Sequence, residues 1–103
     1  MNLYDIWISG DGKCYLVHNM ETSHIHRCVK QIDKSADGWR MISFSVLTDT
    51  EKEDIHSPLS KAWFVANALD YLYSFKHELE MRQENTYEVD KTIARIINAR
   101  AEY

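Results

Sequence analysis

The chain is poor in proline, glycine and cysteine: one, three and two of them in 103 residues. Cys14 and Cys28 are too few for a disulfide scaffold. No proline- or glycine-rich linker and no repeat divides the chain, and its length admits one hydrophobic core over residues 1–103 rather than two. No apolar run approaches the ~20 residues that span a bilayer. Met1 to Asp5 shows no basic stretch leading into an apolar one, as a secretory leader would. Lys and Arg are scattered singly and total 12 against 16 Asp and Glu, a formal net charge of −4. The basic stripe that displaces counterions from phosphates is therefore missing, which disfavours nucleic acid as a partner without removing it. Together these absences point to a cytoplasmic, reducing setting with no membrane attachment.

What is present is a 45% hydrophobic fraction, too high for a disordered chain. Its pattern changes near residue 57. Before that point, short alternating runs predict a four-stranded antiparallel meander over residues 1–48, with strands at Tyr4–Ser9, Lys13–Asn19, His24–Asp33 and Trp39–Leu47. Asp11-Gly12 predicts a two-residue hairpin loop that pairs Ile8 with Tyr15 and Ile6 with Val17. Glu21-Thr22-Ser23 and Lys34 to Gly38 read as the other two turns. After residue 57 the spacing becomes helical, and two helices over 57–103 are expected to pack on one sheet face. Ser57-Pro58 reads as the start of the first, which continues to about Gln83. Glu84-Asn85-Thr86 breaks it, and Asn85 with Glu88 resembles a capping box opening a helix that carries Val89, Ile93, Ile96 and Ile97. The fold class expected is thus α+β, a sheet half followed by a helical half.

That register gathers Tyr4, Ile6, Ile8, Tyr15 and Val17 on a core face and leaves Trp7, Leu16, His18, Arg27 and Met41 on the other. An apolar face of that kind, rimmed by polar groups and rich in Trp and Arg, suits a protein partner. The first helix is also apolar well round its axis, through Phe64, Ala68, Tyr71 and Phe75, so it expects a second layer from the last helix or from a second copy in a homodimer. The acidic connector Asp49-Thr50-Glu51-Lys52-Glu53-Asp54 reads first as a solvated loop. Its sharper reading is an edge whose Asp49, Glu51, Glu53 and Asp54 meet a basic partner.

Catalytic and metal patterns are weak. His24, His26 and Cys28 alternate on the third expected strand, but their spacing matches no common zinc pattern. Neither cysteine sits in a nucleophile turn beside an oriented base, so no catalytic residue, cofactor or metal is assigned. Arg95, Arg100 and Lys91 read as cations placed near a helix C-terminus. The expected function is non-enzymatic protein binding by a small inhibitor or adaptor that covers a partner's functional surface, possibilities including a nucleic-acid-processing complex. Inhibitors encoded by phages or mobile elements, immunity proteins and antitoxins share this size and charge. Two alternatives are a nucleic-acid module stacking bases on Trp7 and Trp39 beside Arg27, Lys30 and Arg40, and a small enzyme using Cys or His.

Overall fold

The structure, a computed structural model, describes residues 3–9, 11–39, 47–56 and 60–101. A short hairpin leads, with strands β1 (Ile6–Ile8) and β2 (Cys14–Leu16). Helices α1 (Thr22–Trp39), α2 (Asp49–Glu53), α3 (Lys61–Met81) and α4 (Tyr87–Ala101) follow, with 3-10 turns at 3–5, 17–19 and 54–56. The expected four-stranded meander with two helices is therefore corrected: the described residues hold a two-stranded antiparallel sheet and are mostly helical.

The decisive difference is α1, where a turn and a third strand were expected. Ile25, Cys28, Val29, Ile32 and Ala36 are all buried. They are spaced three, one, three and four residues apart, which is one stripe of a 3.6-residue helix. In a strand the same residues would fall on both faces. Of the expected fourth strand, Trp39 belongs to α1, and residues 40–46 lie outside the described residues.

The hairpin forms where expected, one residue out of register. Ile6 pairs with Leu16, Trp7 with Tyr15 and Ile8 with Cys14. The Ser9 N–H donates to the Lys13 carbonyl at 2.9 Å and the Gly12 N–H to the Ser9 carbonyl at 2.9 Å. The loop thus has three residues instead of two. Gly12 sits at φ 83°, the left-handed position that such a loop places before the returning strand. Because side chains alternate, the slip exchanges the faces of β1: Trp7 turns inward beside Tyr15, and Ile8 turns outward to the face of Leu16.

Trp7 inserts into an aromatic box on α3. Its ring centroid lies 5.3 Å from Tyr71 and 5.7 Å from Trp63, both edge-on, and 5.5 Å from Phe75. The Tyr71 hydroxyl donates to the Ile6 carbonyl at 2.8 Å, so the buried phenol is satisfied by the strand it supports. Helix α3 packs against α1 and α4 as well as the segment before β1. That explains its broad apolar circumference: Phe64, Ala68, Tyr71, Leu72, Phe75 and Leu79 are all buried within one chain. The core joins these to the hairpin's Trp7 and Val17, to α1, and to Val89, Ile93 and Ile96 of α4.

The helix ends are chemically defined. Helix α3 starts at Lys61, capped by Ser60, whose hydroxyl accepts the Trp63 N–H at 3.1 Å; Ser57 and Pro58 lie outside the described residues. It ends in a left-handed Gln83 (φ 57°), with the Glu84 N–H donating to the Leu79 carbonyl and the Gln83 N–H to that of Glu80. This is a Schellman closure with glutamine where glycine is usual. At the start of α4, Asn85 Oδ1 accepts the Tyr87 N–H at 2.7 Å. Among the described residues no helix is long and apolar enough to cross a membrane.

Candidate surface cleft

Helix α3 carries Asp70, Tyr73, Ser74, His77 and Glu78 at intervals of three, one, three and one, so all five share a face. The segment around the hairpin crosses that face and leaves two adjoining depressions. One, of about 370 Å³, is lined by Leu16, Val17 and His18 against Ser74, His77 and Glu78. The other, of about 290 Å³, is lined by Tyr4 against Asp70 and Tyr73. Asp5, Ser74 and His77 line both, which makes them one continuous cleft.

The floor is held by Arg82. Its Nε donates to Glu78 Oε1 at 2.9 Å, and its other nitrogens donate to the Thr22 hydroxyl (3.1 Å) and to the carbonyls of Val17 (3.3 Å) and His18 (3.1 Å). One guanidinium thus ties the end of α3 to the exit of the hairpin and the start of α1. Its planar fork of donors suits that task better than an ammonium would. The same Glu78 oxygen lies 3.4 Å from His18 Nδ1, so the side chain at the cleft mouth stands over the buried, Arg82-paired Glu78 carboxylate. At the opposite end the Tyr4 hydroxyl donates to Asn67 Oδ1 at 3.4 Å. Desolvation raises the Tyr4 phenol above its usual pKa, and the charge of Asp70 adds to the rise.

The residues expected at a partner surface are dispersed. Trp7 is 2% exposed and belongs to the core, whereas Leu16 is 40% exposed and Ile8, on the same face of the hairpin, 41%. Leu16 and His18 meet in the cleft. Arg27 is an exposed residue of α1, not a sheet neighbour of Leu16, and Met41 lies outside the described residues.

The acidic connector is structured. Asp49, Glu51 and Glu53 belong to α2 and Asp54 to the 3-10 turn after it; all but the half-buried Glu51 are exposed. Glu51 is engaged twice within the chain. It forms a reciprocal capping box with Thr48, and its Oε2 accepts from Lys61 Nζ at 2.7 Å. The Lys61 bond and the cap hold its carboxyl at a pKa of about 2.

The other patterns are likewise redistributed. On α1, His24 and Cys28 lie one turn apart while His26 points elsewhere, so the shared strand face on which the zinc pattern depended is gone. The His24 ring packs edge-on to Tyr15 at 4.9 Å. Among the described residues no three His, Cys, Asp or Glu side chains converge as metal ligands. Burial pushes the Cys28 thiol up to about 11, which keeps it protonated and poorly nucleophilic at neutral pH. Arg95, near the end of α4, donates to Asp33 on α1 at 2.6 Å. Asp70, Tyr73 and Ser74 were missed as surface residues: their common helical face is visible in the sequence, but the packing of the hairpin segment across that face is not.

Comparison of the chain with protein families, with curated proteins and with solved structures gives no match.

Proposed function

We propose that the protein is a non-enzymatic protein-binding module, an inhibitor or adaptor, whose binding surface is the outer face of the hairpin together with the cleft it walls. The observation that carries this is the pair Ile8 and Leu16, both about two-fifths exposed on one face of the hairpin, with Leu16 continuing into the cleft. Apolar side chains on a rigid strand pair, rimmed by polar groups, are what a partner can desolvate at small entropic cost. The hairpin is rigid because its opposite face is anchored through Trp7. Occupation of a partner's working surface by this face is the proposed mechanism. The proposed compartment is the cytoplasm, in keeping with two free cysteines, one of them exposed.

The test is affinity capture from the native host with wild-type protein and with the double variant Ile8→Glu, Leu16→Glu. Unfolding curves should match, because both positions face solvent. A partner retained by the wild type and lost by the variant supports the proposal. Equal recovery by both, or no protein recovered by either, overturns it.

A further inference from the structure

The two edges of the hairpin differ. In an antiparallel pair, residues that exchange main-chain hydrogen bonds alternate with residues whose N–H and C=O groups point away from the partner strand. The bond from the Ser9 N–H to the Lys13 carbonyl marks Ser9 opposite Lys13 as a bonded position, so the register makes Trp7 opposite Tyr15 the next one. Ile6 and Ile8 on β1, and Cys14 and Leu16 on β2, therefore turn their main-chain groups outward. On β1 the outward Ile6 carbonyl accepts the Tyr71 hydroxyl at 2.8 Å, so α3 meets that edge. On β2 the Leu16 carbonyl opens the 3-10 turn at 17–19. Among the described residues no bond reaches the outward N–H and C=O of Cys14 or the N–H of Leu16, and both residues are exposed. Such an edge is a template for another strand.

We infer that an extended strand of the partner protein adds to this free edge of β2, antiparallel, with its main-chain bonds at Cys14 and Leu16. The inference rests on the protein-binding reading and names how the partner is held. Main-chain bonds supply the attachment, and alternate side chains of the added strand supply the selectivity. Residues opposite Cys14 and Leu16 fall on the outer face, so apolar side chains there pack beside Leu16 and continue the surface it shares with Ile8. The residue between them, opposite Tyr15, faces the other way. A second copy of this chain is the poorer occupant. Strand β2 has three residues, so two copies share too little ladder to bury the roughly 1,000 Å² of a stable interface. Edge-to-edge pairing would also leave both outer faces, each with Ile8 and Leu16, side by side in solvent. A larger partner instead brings its own body against that face.

The test titrates the peptide N-acetyl-Val-Thr-Val-Thr-Val-amide into isotope-labelled full-length protein while backbone amides are followed. Saturable shifts are expected at Cys14 and Leu16, with slowed exchange of both amides. N-methylation of the valines removes the donors that face β2 and should weaken binding at least about tenfold. N-methylation of the threonines, whose N–H groups point away, should leave it nearly unchanged. On the protein side, Leu16→Pro deletes the N–H at a position whose φ of −74° already suits proline. It should weaken binding about fivefold beyond Leu16→Ala, which keeps the N–H. The comparison of the methylated peptides on wild type stands even if the proline variant folds poorly. Equal weakening by both methylations, shifts away from β2, or no binding at all overturn the added strand. So do shifts at Cys14 and Leu16 that grow with protein concentration alone, which give the edge to a second copy. The broader reading fails differently, by capture that is indifferent to Ile8→Glu, Leu16→Glu. Silence of the peptide with intact, variant-sensitive capture therefore removes only the added strand.

Discussion

Trp7 and Ile8 are adjacent in β1 and have opposite fates. The indole is closed in by three aromatic residues of α3, whereas Ile8 is 41% exposed on the reverse face, which it shares with Leu16 on the diagonal. A hairpin with strands of three residues has little stability of its own in water. Here one face supplies the anchorage and the other is left free. The contrast teaches that holding the fold and presenting a surface are divided between alternate residues of the same strand. Substitutions on the two faces should therefore fail in different assays.

The largest effect is expected inside. Trp7→Ala empties the aromatic box and should cost about 3–5 kcal/mol in urea unfolding, a large share of a small domain's stability. A loss below about 1 kcal/mol would dissolve the contrast, since it would leave Trp7 no more important than Ile8. Next comes the link between the faces. Arg82→Ala leaves Glu78 buried without its guanidinium and removes donors to three other groups, so a loss of about 2–3 kcal/mol is expected. Amide exchange should also quicken at Val17 and His18, whose carbonyls it holds. Smaller and of opposite sign is Gln83→Gly, at the left-handed end of α3: a gain of about 0.5–1 kcal/mol should appear in the same curves. The outer face should register least. Leu16→Glu is expected to change stability by under about 0.5 kcal/mol, so that any loss of partner binding is a surface effect.

The acidic segment sharpens the comparison by pH. The carboxyl of Glu51 is held at about 2, below its ordinary value of 4.5. The stabilisation from a depressed carboxylate is complete above the unfolded value and is lost as pH falls through the folded one. The bridge to Lys61 should thus loosen between pH 4.5 and about 2. Glu51→Gln should remove that part of the acid transition, which circular dichroism and the Lys61 side-chain resonances can follow. An unchanged acid profile would mean that Glu51 is not committed within the chain and is available to a partner, as the surface of α2 otherwise suggests.

The long apolar helices were legible in the sequence, and the hairpin was legible to within one residue. Val89, Ile93 and Ile96 repeat over several turns in α4, and α3 ends two residues before the expected Gln83, where no competing pattern exists. At α1 two readings competed. His24, His26 and Cys28 alternate, but Ile25, Cys28, Val29 and Ile32 follow the helical period, and burial decided for the second. Thr22 and Ser23 misled because residues that make turns also begin helices. The hairpin register turned on whether the glycine of Asp11-Gly12 lies within a two-residue loop or closes a three-residue one, a choice that exchanges faces and moves Trp7 from surface to core. The cleft inherits that ambiguity, since its walls come from residues more than fifty positions apart.

The claim that the outer hairpin face is the binding surface is tested most directly by photo-crosslinking in the native host from position 16, with the exposed Lys30 of α1 as the control position. The account predicts a discrete protein adduct from position 16, absent from position 30. Adducts of equal yield from both positions, or none from position 16 while capture still recovers a partner, would contradict it.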